Sequence, residues 1–372
     1  MKEILRWLAA MTAEILRTLD WPLLLALCAL MGIGLAVQFS AGGEANGMHN
    51  MLAQGVRFAV GLAAMWALSR VPLVRLRGAT PGVFLLSLLP LVLVLFIGSG
   101  KHGNHWINLK FFYLQPSELL KITLPMAMAW YLNREALPPR VRTVLISALI
   151  IGVPTGLILL QPDFGTAMLV AASGAFALLL AGLPWWWVGA GVGGVAAAAP
   201  VAWFWFLRQY QKDRILTFLN PENDPLGTGW NIIQSKIAIG AGGLSGKGWG
   251  QGSQSHLNYL PEHTTDFAFA VLSEEFGWLG VATTLALYLF VIGRCLWIAL
   301  DARDTYSRLL AGTLGLAFFV YVIVNGGMIS GLLPVVGVPM PLLSYGGTSA
   351  VSLLAGLGLV MAVKAHRPVH GY

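Results

Sequence analysis

Charge is what this chain has least of. Only 10% of its 372 residues are Asp, Glu, Lys or Arg, against 57% hydrophobic. A soluble domain carries about 25% charged residues, so this composition cannot cover an ordinary water-facing surface. Cysteine is almost absent. Cys28 and Cys295 lie far apart, in or beside apolar runs, which excludes a disulfide framework and a cysteine-rich metal site. Internal repeats of the kind many transporters carry are missing. So is a nucleotide loop. The glycine-rich stretch GAGGLSGKGWGQG at 240–252 has Ala241 where a phosphate loop needs glycine, and Gly248 where it needs Ser or Thr after the lysine. Its glycines are read instead as letting backbone approach a ligand or another loop closely.

Long apolar runs take the place of charge. Runs of about 17–25 residues, enough to cross about 30 Å of hydrocarbon, recur near 21–39, 54–69, 82–98, 117–132, 143–160, 166–183, 185–206, 266–293, 309–329 and 347–363. The expected fold is all-α: one polytopic membrane domain over 1–372 with about ten transmembrane helices. Residues 1–20 form a further element. Ile4, Leu8, Met11, Ile15 and Leu19 recur at helical spacing against Lys2, Arg6, Glu14 and Arg17, the pattern of an interfacial helix. No small-residue cleavage site follows the next apolar run, so it does not read as a secretory signal.

The net charge of +7 follows from topology and contact with anionic lipid, with no nucleic-acid partner required. With the N-terminus inside, the short inner linkers take most Lys and Arg, including Arg70, Arg75, Arg77, Arg134, Arg140 and Arg142. Both termini are therefore expected in the cytoplasm. The unusual segments then fall outside. They are 99–115, the turn at 161–163, a long Gly-rich loop over 207–265, and the uncharged Pro- and Gly-rich stretch 325–348. Irregular backbone at membrane depth survives only where protein buries it or it lines a cavity.

The ionisable residues gather at that face. Asp266 sits where the long loop joins an apolar run. Its chemistry leaves two roles open: a general base, or a cap at a helix N-terminus. Glu118 and Lys121, three apart in QPSELLKI, share a helix face. They form either a neutralising pair or the wall of a polar cavity that reaches a lipid phosphate. Asp163 in QPDFGT caps a helix, orients Lys121 or holds a divalent cation. Arg57 snorkels or contacts phosphate. Arg214 and Lys236 lie in the basic loop, facing any anionic lipid substrate. Glu274 and Glu275 read as pairing within the bundle.

The blocks QPSELLKI (115–122), QPDFGTA (161–167), RILTFLNPENDPLGTGWNIIQSKIAIGAGGLSGKGWGQGSQSHLNYLPEHTTDFAFAVLSEEFG (214–277) and NGGMISGLLPVVGVPMPLLSYGGTSAV (325–351) resemble those of the SEDS family (shape, elongation, division and sporulation). HLNYLPEHTTDF and PVVGVPMPLLSYGG resemble its elongation branch. Ala241 and Ser245 depart from the usual pattern, at uncharged positions. The resemblance implies a peptidoglycan glycosyltransferase in the bacterial cytoplasmic membrane, polymerising lipid II on the outer side. It implies Asp266 as the catalytic aspartate, with Glu118, Lys121 and Asp163 as polar cavity residues and Arg57 at a basic position. It also implies a class B penicillin-binding protein as partner. An α-linked donor giving a β-1,4 product needs one base on the acceptor hydroxyl and positive charge at the departing pyrophosphate. Lys121, Arg57, loop cations or a divalent cation, Mg²⁺ or Mn²⁺ with no ligand set readable, can supply that charge. The alternative is a transporter that flips lipid II.

Overall fold

The computed structural model describes residues 18–99, 105–108, 110, 113–207, 209–220, 229–256 and 262–366. The expected amphipathic helix falls largely on 1–17, outside the described residues. Ten long helices follow the ten expected runs one for one: α1 (Trp21–Ala41), α2 (Gly43–Ser69), α3 (Leu73–Ile97), α4 (Pro116–Leu132), α5 (Val141–Leu160), α6 (Phe164–Leu180), α7 (Trp185–Val201), α11 (Ala268–Leu300), α12 (Thr305–Ile329) and α13 (Thr348–Ala365). A π-helical turn, Ala202–Phe206, prolongs α7. Eight of these helices are long and apolar enough to cross a membrane. The count of ten therefore needs refining, because α4 and α6 have 17 residues each, about 25 Å of rise. Several helices outrun their apolar runs. α2 begins at Gly43 rather than 54, α3 at Leu73 rather than 82, and α11 ends at Leu300 rather than 293. Apolar composition marks the hydrocarbon layer, whereas backbone hydrogen bonding continues into the polar interface.

α12 is the most buried of the spans and packs against α4, α6, α11 and α13. Its aromatics Tyr306, Phe318 and Tyr321 are buried. At the other extreme, α7 has no buried residue, and its Trp185 and Trp186 are exposed, as an interfacial aromatic belt requires. Three aspartates start spans by accepting backbone N–H bonds: Asp20 from Leu23, Asp163 from Thr166 and Asp304 from Ser307. Each satisfies a donor that the first helical turn leaves unpaired.

The 207–265 loop is partly folded. It contains α8 (Gln209–Leu219), α9 (Trp230–Ala241) and the short α10 (Ser253–His256). α9 packs on α11 and α12, because Ile232, Ser235 and Ala238 bury one of its sides. The glycine-rich stretch after α9 runs along α11, with the N–H groups of Lys247 and Gly248 donating to the carbonyls of Glu274 and Glu275. Gly277 breaks α11 there at φ +61°, and a Cβ on it would lie 2.3 Å from the nitrogen of Gly246. The glycines therefore serve backbone-to-backbone approach, as expected. Glu274 is fully buried and takes Lys247 Nζ at 2.6 Å together with the Ser253 N–H and hydroxyl, both at 2.9 Å. Its pairing within the protein is the outcome expected for it. A small hairpin, β1 (Ile107–Asn108) with β2 (Tyr113–Leu114), sits between α3 and α4.

The helix ends fall into two sets. At one end, a single buried carboxylate ties three spans. Asp20 receives Arg294 Nε at 3.0 Å and Nη2 at 2.8 Å from α11, and also pairs with Lys364 of α13. Burial alone pushes this carboxyl up, but the bonds from Arg294, Lys364 and the Leu23 N–H outweigh it and hold its pKa below the ordinary 3.8. A depressed carboxylate pKa gives stability that is present above the unfolded value and is lost as pH falls through the folded one. Asp20→Asn strands two cations and should destabilise the purified protein by about 3 kcal/mol, lowering its thermal midpoint at pH 7. The difference from wild type should narrow below pH 4. Equal midpoints at pH 7 would show that the three-way tie contributes nothing.

Candidate functional site

The opposite end holds a cavity of about 530 Å³. Its wall is assembled from the first turns of α4 and α6, the turn before α11, α8, the irregular segment 334–347 between α12 and α13, and the start of α13. The shortness of α4 and α6 makes room for it, since the hollow lies where a longer helix would run. Four ionisable residues singled out from the sequence, Glu118, Lys121, Asp163 and Asp266, all line this one space.

Glu118 and Lys121 are one turn apart on α4. Pro116 starts that helix, where its missing N–H is no loss. Lys121 Nζ lies 2.6 Å from Glu118 Oε1, while Glu118 Oε2 accepts the Ser352 hydroxyl of α13 at 2.6 Å. Tyr321 of α12 presents its ring 5.0 Å from the ammonium. The side chains are only 11% and 5% exposed. The pair and the cavity wall are thus the same object.

Asp163 is the N-cap of α6. Its Oδ1 accepts Thr166 N–H at 3.0 Å and its Oδ2 accepts the Gln115 amide at 3.1 Å. Asp266 takes the other course. The N-cap position of α11 is Phe267, with no side-chain cap bond, and Asp266 precedes it in the turn 262–267. Capping is therefore not its role. Its half-buried carboxylate reaches the cavity, where a Cβ on Gly337, at φ +72°, would lie 3.6 Å from Oδ2. Glycine at 337 keeps both the backbone turn and the space beside the carboxylate.

Arg57 does not line the cavity. Its guanidinium stacks 4.2 Å from the ring centroid of Tyr345 and donates to the Tyr345 hydroxyl at 3.1 Å, and Tyr345 is the residue in the wall. Arg57 thus meets the wall only through that tyrosine. Lys236 sits exposed on α9 over Gly331 and is not part of the wall. The side chain of Arg214 lies outside the described ones, although Gln211 and Ile215 of the same helix line the cavity. Reasoning from sequence missed Ser352, Tyr321, Tyr345 and Gln115. A serine or tyrosine in an apolar span carries little signal alone, and its neighbours come from other helices. No cluster of three or more His, Cys, Asp or Glu suited to a metal occurs among the described residues.

The profile of the FtsW/RodA/SpoVE cell cycle proteins matches residues 17–368. The peptidoglycan glycosyltransferase MrdB of Escherichia coli K12 is 46% identical over 350 residues, covering 94% of each chain. The peptidoglycan glycosyltransferase RodA of Treponema pallidum is 31% identical over 94% of this chain and 98% of its own. Among solved structures, a chain from a peptidoglycan synthase complex that coordinates polymerization and crosslinking superposes with a TM-score of 0.83 at 32% identity, covering 94% of this chain and 99% of that one. The Thermus thermophilus rod shape determining protein RodA gives 0.72 at 29% identity, over 94% and 98%. With a match along nearly its whole length, this chain belongs to the FtsW/RodA/SpoVE cell cycle protein family, the SEDS proteins its motifs resemble.

Proposed function

We infer that this protein is a peptidoglycan glycosyltransferase that polymerises lipid II into glycan strands during cell elongation. The observation that carries the reading is the convergence of Asp266, Lys121, Glu118 and Asp163 on one hollow at one end of an apolar bundle. Relatives named as peptidoglycan glycosyltransferases along most of the chain support it.

Asp266 serves as general base. Its carboxylate takes the proton of the acceptor sugar 4-hydroxyl as that oxygen attacks the anomeric carbon of the donor. The bond from that carbon to the pyrophosphate oxygen breaks, the centre inverts, and the polyprenyl pyrophosphate leaves with the electron pair. An inverting hydrolase needs a second carboxyl as acid, but pyrophosphate departs without a proton, so one base suffices. Lys121 meets the charge developing on the leaving group. Glu118 and Ser352 hold the lysine in place, and Asp163 fixes the start of α6 beside it. Arg57 supports the wall through Tyr345.

A divalent cation, Mg²⁺ or Mn²⁺, would be held here by one carboxylate, of Asp163 or Asp266, together with the substrate's phosphates. That is the usual manner for Mg²⁺, and it agrees with the lack of a three-ligand cluster among the described residues. It would add positive charge at the pyrophosphate.

The cavity end faces outward and both termini face the cytoplasm. Arg70, Arg134, Arg140 and Lys364 at the other helix ends support this orientation. The polyprenyl tail stays in the bilayer and the sugars meet the 207–265 segment. A class B penicillin-binding protein is the partner, in line with the synthase complex among the structural relatives. Flipping of lipid II would need a route through the bundle. Below Lys121 there is instead a void of about 30 Å³ among Leu314, Phe318 and Leu353, room for about one water.

Two outcomes test the roles. Purified Asp266→Asn with its partner should lose at least about 100-fold in strand synthesis from labelled lipid II while still binding the partner; near-normal strand length distributions would end the base assignment. Lys121→Met should be inactive, and the double variant with Glu118→Gln should stay inactive if the lysine meets pyrophosphate. Recovery in the double variant would reduce Lys121 to neutralising Glu118.

A further inference from the structure

Two buried amides hold the backbone on either side of Asp266. Asn325 of α12 is fully buried and uses both hydrogens of Nδ2, one on the Asp266 carbonyl at 2.9 Å and one on the Val338 carbonyl at 2.7 Å. Gln38 of α1 is equally buried. Its Nε2 donates to the Thr264 and Leu343 carbonyls, each at 2.9 Å. Each side chain thus bridges the turn that carries Asp266 to the segment between α12 and α13, and the Tyr345 N–H adds a third tie to Thr264 at 2.8 Å.

We propose that Asn325 and Gln38 are positioning residues for the glycosyl transfer, fixing the Asp266 carboxylate relative to the Gly337 side of the cavity by riveting two irregular strands from both sides. The inference rests on the reading of Asp266 as the base. A carboxamide suits the task because it places two donors on one uncharged nitrogen, whereas a cation there would need its own counter-charge. The oxygen ends add to the case. Gln38 Oε1 and Asn325 Oδ1 are buried with no hydrogen-bond partner among the described residues. A buried acceptor left unpaired is unfavourable, so these amides are poor choices for stability alone. They are good choices for holding four carbonyls at set places. Neither side chain lines the cavity, so their effect reaches substrate only through Asp266 and its neighbours.

The test is steady-state lipid II polymerisation, with thermal midpoints, for Asn325→Leu and Gln38→Leu in the full chain with its partner. Leucine keeps the volume and removes the orphaned oxygen along with the donors. Turnover should fall about 10- to 100-fold, the scale expected for misplacing a catalytic group by about 1 Å. KM for lipid II should stay within about twofold, and the midpoint should fall, because the bridged carbonyls lose their donors. Ser235→Ala is the control. It removes a buried bond to the Ile329 carbonyl at the same end of α12, at 2.9 Å, and should lower the midpoint with turnover unchanged. Wild-type turnover in both leucine variants beside an inactive Asp266→Asn overturns the positioning inference alone. So does a turnover loss matched by KM, or failure of both variants to fold. An active Asp266→Asn removes the base assignment itself, whatever the amide variants do.

Discussion

The 2.6 Å pair of Lys121 and Glu118 is what lets an apolar bundle keep a polar hollow at one end. A lone ammonium or carboxylate among helices this hydrophobic would neutralise rather than stay charged. Each is the other's counter-charge, Glu118 also accepts the Ser352 hydroxyl, and the Tyr321 ring faces the ammonium. The consequence spreads outward. Three helices, α4, α12 and α13, meet at that contact. The lysine keeps an open side toward the space where Asp163 and Asp266 also point.

The two ends of the bundle solve the same electrostatic problem for different purposes. At the far end Asp20 gathers Arg294 and Lys364 around one buried carboxylate. Donors approach from several directions, the group is sealed, and the result is a joint between α1, α11 and α13. At the cavity end the charges are spread along a wall and partly exposed, so capacity remains for a ligand. Glu274, eight residues along from Asp266, belongs with the sealed type. It is wrapped by Lys247, Ser253 and Gln254 and fixes the glycine-rich stretch against α11.

Irregular backbone is the other half of the design. Segment 334–347 carries no charge and little regular hydrogen bonding, yet it closes the site. It survives at that depth because neighbouring side chains take up its polar groups: Ser344 to the Met340 N–H, Gln54 to the Gly346 N–H, and Tyr288 to the Pro341 carbonyl. Helices cannot bring a carboxylate, a lysine and a flat glycine surface together at one point, since their side chains diverge from the axis. Loop backbone pinned between helices can.

The sequence by itself determined the number and order of the long helices and singled out the ionisable residues that share the cavity. Hydrophobic run length and the scarcity of charge leave few ways to satisfy a backbone in lipid, and an ionisable group in such a run must have a partner or a task. Asp266, Lys121, Glu118 and Asp163 were legible for that reason. Tertiary structure alone set how these residues are placed. It made Asp163 the cap and freed Asp266 from capping, because the cap position of α11 falls on Phe267. It set Arg57 behind Tyr345 and left Lys236 on the surface. It also brought Gln38 and Asn325, far apart in the chain, to either side of one turn. Such pairings depend on helix rotation and on the path of loops between helices, and local pattern carries no information about either.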